Sequence, residues 1–260
     1  MNPTLSLTKD PIPRLIKKIA IPASVGTFFQ TMYNIVDTFY AGKISPEALS
    51  ALAKSFPIYF IIIAACIGVT VGGTSLIANS IGERNKERVL IYFSHTIIYG
   101  ILVSILVTFL GLKFSANVFL LMGSSNEVIL LGLKYTNVIF SGSIIFILVV
   151  ALNALLHADG DTKTYRNILI LSFFLNIILN PIFIFGFAFV PAMGITGIGI
   201  ATIVSQLIAL LILFIKILKN TRIIDFSIRY FYPKINFLKN LFFQSAPISA
   251  ALLSFTVGNT

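Results

Sequence analysis

The sequence predicts an all-α membrane protein: a six-helix transmembrane lobe plus the start of a seventh helix. Three observations carry this. The chain is 57% hydrophobic with a mean hydropathy of +0.96, above the roughly 45–50% apolar content of soluble domains. Charged residues make up only 11% and gather in short clusters, too few to cover a soluble surface. The apolar runs between them reach about 20 residues or more, the length a helix needs to cross the hydrocarbon core.

Taken in order, the spans fall near 15–41, 56–81, 89–112, 128–156, 168–190 and 198–218, and a seventh begins near Leu241. The first is too long for a signal peptide, carries Asp37 and lacks a small-residue cleavage site. The fourth has Lys134 near its start, where a long side chain reaches the interface. Cys66, the one cysteine, lies in the second run, so an intrachain disulfide is excluded and the thiol reads as packing.

Charge sets the orientation. Of the 19 Lys and Arg, Lys43, Lys54, Lys113 and Lys134 fall on one side of the predicted membrane and the other fifteen on the opposite side. The positive-inside rule therefore places the N-terminus and the 219–240 connection in the cytoplasm of a multi-pass cell-membrane protein. The net charge of +10 does not point to nucleic acid, because the basic residues flank apolar runs and form no basic face. Membrane lipids are the partner such edges fit.

The chain divides accordingly into a lobe at 1–218, a cytoplasmic linker at 219–240, and the start of a second lobe at 241–260. The linker alternates basic and aromatic residues (Arg229-Tyr-Phe-Tyr-Pro233-Lys), which suits a surface helix at the lipid boundary joining two lobes. After it the N-terminal pattern returns. Leu15-Ile-Lys-Lys-Ile-Ala-Ile-Pro22-Ala-Ser24 aligns with Leu238-Lys-Asn-Leu-Phe-Phe-Gln-Ser-Ala-Pro247-Ile-Ser249, which also pairs Thr31 with Thr256 and Asn34 with Asn259. Whole-bundle repeats are common in transporters, so the expectation is one half of a roughly twelve-span protein whose second lobe is the partner of the first.

Asp37 is the only carboxylate inside a long apolar run. An ionisable group at membrane depth costs at least a few kcal/mol by roughly any scale, and it marks an ion or substrate pathway. Gln30, Asn34 and Asp37 are spaced i, i+4, i+7 and share one helix face, a polar stripe turned away from lipid. Asn176 and Asn180 share a face of the fifth span, and Pro181 beside them releases the carbonyl of Ile177. These oxygens suit a small hard cation; interhelical hydrogen bonding explains the asparagines equally well. Pro22 kinks the first span, and Thr202 in the sixth offers a hydroxyl ligand or a back-bond to its own helix. Tyr135, Asn137 and Ser141 give the fourth span a polar face, with Asn153 further along it. His95 and His157 stand alone, with no zinc-ligand spacing, and neither Gly82-Glu-Arg-Asn-Lys-Glu-Arg88 nor Ala158-Asp-Gly-Asp-Thr-Lys163 is a phosphate loop. No cofactor is expected.

Four motifs in order, Tyr33-Asn-Ile-Val-Asp37-Thr-Phe, Ile81-Gly-Glu-Arg-Asn85, Asp159-Gly-Asp-Thr-Lys163 and Asn176-Ile-Ile-Leu-Asn180-Pro-Ile-Phe-Ile-Phe-Gly186, resemble the multidrug and toxic compound extrusion (MATE) transporters over the whole chain. The resemblance implies half of a twelve-helix, pseudo-symmetric transporter that exports cationic amphipathic drugs or toxins in exchange for protons or sodium ions. It implies that Asp37 is the coupling carboxylate. It also implies that Gln30, Tyr135, Asn153, Asn176, Asn180 and Thr202 line one cavity, and that the first helix bends at Pro22. Where Asn180 stands, many relatives carry a second aspartate. Its loss leaves a less negative cation site and favours proton over sodium coupling.

Burial favours a neutral Asp37 and a nearby cation favours its carboxylate, so a cationic substrate and a proton compete for one site. Two states opening to opposite sides and biased by that competition give antiport. A lipid-intermediate flippase of the same superfamily needs a more cationic cavity. A retinal receptor needs a lysine in the seventh span, and 241–260 has none. A membrane enzyme would show His-Glu-x-x-His, paired aspartates or Gly-x-Ser-x-Gly, which are absent, so no catalytic role is expected.

Overall fold

A computed structural model describes residues 11–219 and 228–258. Among them the regular structure is helical, apart from one isolated bridge between Phe187 and Val190. The helices are α1 (Ile12–Ile44), α2 (Pro46–Gly82), α3 (Lys86–Leu121), α4 (Asn126–Ser141), α5 (Ser143–Ala158), α6 (Thr162–Phe185), α7 (Ile195–Lys219) and α8 (Ile235–Gly258). Four starts carry the polar cap their sequence offers. Ser45 accepts from the Ala48 amide at 3.0 Å, Asn85 from Arg88 at 3.0 Å, Ser125 from Val128 at 3.4 Å and Asp161 from Thr164 at 3.0 Å.

By length and composition α2, α3, α6 and α7 can cross a membrane, and α4 with α5, bent by 43° at their break, adds a fifth if the pair is one span. The chain is a multi-pass membrane protein. α1 has the length, 33 residues or about 50 Å, but Gln30, Asn34 and Asp37 dilute its apolar character below that of the other four. The polar stripe that the sequence singles out is what weakens its membrane signal.

The fourth predicted span is not one helix: it breaks at Gly142. The small triplet Ser141-Gly142-Ser143 lets the backbone turn, and hydroxyls from α3 take up the polar groups at the break. Thr108 Oγ1 donates to the Phe140 carbonyl at 2.9 Å and lies 2.7 Å from Ser143 Oγ, which in turn donates to the Ser104 carbonyl at 3.3 Å. The seventh predicted span begins earlier than Leu241, at Ile235, after a 3-10 turn at Ile228–Phe231. The rest of the linker, 220–227, and the paired position Asn259 lie outside the described residues, as does the side chain of Thr256.

α2 is the central helix, packed on α3, α4, α5 and α8, while α1 lies along α6 with lesser contact to α2 and α7. α8 rests on α2 through small residues. A Cβ on Gly72 would meet Ser245 Oγ at 2.1 Å and one on Gly68 would meet Ser249 Oγ at 2.1 Å, while Ser249 donates to the Ala64 carbonyl at 2.9 Å. At the other end of the bundle, Lys54 ties α2 to the loop after α3, donating to Met122 O at 3.2 Å and Ser124 Oγ at 3.1 Å.

Candidate functional site

The site is built where α1, α6 and α7 meet. Asp37 comes from the inner face of α1 and is 5% exposed; Asn176 and Asn180 on α6 and Thr202 on α7 are equally enclosed. Asn176 Nδ2 donates to Asp37 Oδ1 at 2.8 Å, and Asn180 Nδ2 donates to the same oxygen at 2.9 Å. Thr202 Oγ1 donates to Asp37 Oδ2 at 3.2 Å. Asn180 Nδ2 also reaches Asn176 Oδ1 at 3.0 Å, which leaves Asn180 Oδ1 buried without a partner. The carboxylate is thus held by three neutral donors, and no Lys or Arg pairs with it among the described residues.

The helices are held in this register by their prolines. Pro181 leaves the Ile177 carbonyl without a helical donor, and the Tyr40 hydroxyl on α1 takes it at 3.3 Å. Pro22 likewise releases the carbonyl of Lys18, and Thr162 Oγ1 at the start of α6 donates to it at 3.5 Å. The Ile177 carbonyl expected as a free cation ligand is therefore already bonded to Tyr40. Between the two ties, Gly26 brings α1 close to α6: a Cβ there would lie 3.1 Å from Leu169 Cδ1.

Asp37 opens onto a cavity of about 240 Å³ lined by Gln30, Tyr33, Asn34, Tyr59, Tyr135, Thr202 and Gln206 among others. A second cavity of about 440 Å³ shares Gln30, Asn34, Tyr59 and Gln206 with it and reaches Cys66 and Tyr165. Neither wall contains a Lys or Arg. The structure so brings together Gln30, Asn34, Asp37, Tyr135, Asn176, Asn180 and Thr202. Asn153 lines neither cavity; its Nδ2 lies 3.0 Å from His157 Nε2, one turn along α5.

Tyr33, Tyr40, Ser55 and Tyr59 complete the site without having been singled out in the sequence. Tyr33 is one turn before Asp37 on the same face, a spacing that could have identified it. Its hydroxyl is enclosed beside Thr202, Asn176 and Ser205 without a partner in hydrogen-bond geometry. Among the described residues no three His, Cys, Asp or Glu come together to hold a metal ion. The oxygens of Asp37, Asn176, Asn180 and Thr202 are instead hard ligands of the kind a small monovalent cation takes.

The family model MatE matches residues 22–182, a stretch that contains Asp37, Asn176 and Asn180. The chain belongs to the MatE family. Among its MatE relatives, the probable multidrug resistance protein YoeA of Bacillus subtilis is 27% identical over 86% of this chain and 49% of its own length. The FAD transporter of Shewanella oneidensis is 28% identical over 78% of this chain and 45% of its own. Among solved structures, a MOP superfamily transporter from Pyrococcus furiosus superposes with a TM-score of 0.84 at 30% identity, covering 94% of this chain and 53% of that one. This MatE chain spans about half the length of the relatives it matches.

Proposed function

We propose that the chain forms the first lobe of a cation-coupled antiporter that exports cationic amphipathic drugs or toxins across the cytoplasmic membrane by alternating access. The observation that carries this reading is Asp37: a buried carboxylate at a cavity wall, held only by neutral donors. Such a charge is costly to bury alone, so a cation or a proton is the natural visitor. In this reading Asp37, Asn176, Asn180 and Thr202 form the ion-coupling set, and Gln30, Asn34 and Tyr135 face the substrate. α1 bends at Pro22, the N-terminus is cytoplasmic, and a second lobe closes the cavity.

Protonation replaces one lone pair of Asp37 with a donor. Asn180 Oδ1, enclosed and unpartnered, is an acceptor within the same cluster, which supports proton coupling. A sodium ion would draw on the same oxygens with one fewer negative charge than a site carrying two aspartates. Four aromatic side chains in the lining, Tyr33, Phe56, Tyr59 and Tyr135, suit a cationic amphipath through their ring faces.

A lipid-intermediate flippase, or a carrier of an anion such as FAD, would need cations in the wall, and none is present there among the described residues. The test is transport by the natural protein in proteoliposomes under an imposed proton or sodium gradient, with a cationic dye and FAD in parallel arms. The expected result is gradient-driven dye movement and no FAD movement. FAD movement without dye movement would overturn the proposal.

A further inference from the structure

His95 on α3 is fully buried and both of its ring nitrogens are committed. Nε2 lies 2.9 Å from the backbone nitrogen of Lys234. That nitrogen can only donate, so Nε2 is the acceptor. The proton of the neutral ring therefore sits on Nδ1 and is donated to the Ile91 carbonyl at 2.8 Å. Lys234 immediately precedes α8, and its own carbonyl accepts from Phe237 at 3.1 Å and Leu238 at 3.3 Å, the pattern of an N-cap residue. Its N–H is one of the donors that a helix start leaves unsatisfied, and His95 supplies the missing acceptor from another helix.

The surroundings press the same two elements together. The Phe237 ring packs against His95 at 5.3 Å and edge-on to Tyr92 at 4.9 Å, and Asn240 Nδ2 donates to the Tyr92 hydroxyl at 3.1 Å. Lys234 also brings a charge to this corner, its ammonium lying over the Phe237 ring at 5.9 Å. Arg88 on the same helix lies over Tyr92, Lys239 of α8 over Phe243, and Arg229 of the 3-10 turn over Tyr230. From α2, Glu47 and Lys54 belong to the opposite end of the bundle, and α5 contributes only His157, bonded to Asn153.

We infer that His95 is a proton-sensitive pin that caps α8 and fixes the chain beyond the linker to the six-span lobe. With a neutral ring the pin holds. With a proton on Nε2, an N–H faces the N–H of Lys234 and a positive charge joins that of the lysine, so the bond is lost and the first turn of α8 loosens from α3. The inference does not depend on what is transported.

The test is amide hydrogen exchange across residues 232–240 in the natural protein in lipid nanodiscs, between about pH 4 and pH 8, corrected for the chemical exchange rate. Protection in the natural sequence should fall by about tenfold on acidification, the equivalent of roughly one hydrogen bond. His95→Gln, which keeps an acceptor but cannot titrate, should hold its protection across the range. His95→Phe, which keeps the ring and removes the acceptor, should show the lowered protection of the acidified natural protein at every pH. Protection that is independent of pH in the natural sequence, or a His95→Gln profile that follows it, would overturn the inference. Both readings remain available if His95→Phe fails to fold.

Discussion

The hydroxyl of Tyr40 donates to the carbonyl of Ile177 at 3.3 Å, the carbonyl that Pro181 deprives of its helical donor. The same exchange recurs at the other end of the pair, where Thr162 donates to the Lys18 carbonyl released by Pro22. α1 and α6 thus each satisfy the break in the other, with Asp37 and Asn176 between the two ties. A helix pair joined in this way shares its register, which keeps Asp37 opposite Asn176 and Asn180.

Tyr40→Phe removes the donor and leaves a carbonyl unsatisfied, so we expect a loss of about 1–3 kcal/mol, read as a lower melting temperature in detergent. Pro181→Ala restores a helical N–H, so in that background Tyr40→Phe should cost much less. An equal cost in both backgrounds would show that Tyr40 acts by packing alone.

α3 and α4 lock through two reciprocal contacts. A Cβ on Gly132 would lie 2.2 Å from the Phe119 ring, and one on Gly111 would lie 2.0 Å from the Phe140 ring. Both phenylalanines are fully buried, so the rings have no room to retreat. Gly132→Ala should destabilise by about 1–3 kcal/mol, and Phe119→Leu in the same chain should recover part of it. Thermal unfolding of Gly132→Ala indistinguishable from the natural protein would contradict this packing.

Asn180 supplies an amide where a second carboxylate would strengthen a cation site. Asn180→Asp should increase the sodium dependence of transport in vesicles of the natural protein. The lean towards proton coupling fails if the unsubstituted protein already proves strictly sodium-dependent and insensitive to a proton gradient.

Topology can be read by single cysteines in a Cys66-free background. Thr162 is buried against α1, so under the proposed orientation Asn85 and the exposed Lys163 are the better cytoplasmic sites, with Ser45 and Ser124 outside. Labelling of Asn85→Cys and Lys163→Cys from the cytoplasm alone, and of Ser45→Cys and Ser124→Cys from the exterior, is the expected pattern. The reverse pattern would invert the direction of transport.

What was legible in the sequence was whatever depends on local contrast. Asp37 stands out because it is charged where its neighbours are apolar, and helical spacing alone places Gln30, Asn34 and the Asn176–Asn180 pair on single faces. Apolar runs locate the helices, though not their ends: the run at 89–112 is Lys86–Leu121, that at 168–190 is Thr162–Phe185, and the last helix starts at Ile235; Pro22 and Pro181 announce the carbonyls they release. What receives those carbonyls was not legible, because Tyr40 and Thr162 find them across 137 and 144 positions of chain through the register of two packed helices. The break at Gly142 depends on hydroxyls from α3, and the work of His95 depends on a backbone amide 139 positions away. Asn153 shared a helix with the cavity residue Tyr135 only until that helix proved to be two.

The most direct measurement is gradient-driven efflux of a cationic dye by Asp37→Asn in reconstituted vesicles. The substitution keeps the shape of the side chain, turns one of its two acceptor oxygens into a donor amide and fixes its charge at zero, the protonated state made permanent. The account predicts a protein that expresses and folds like the unsubstituted one but no longer moves dye under an imposed pH or sodium gradient. Normal gradient-driven efflux by a well-folded Asp37→Asn protein would contradict it.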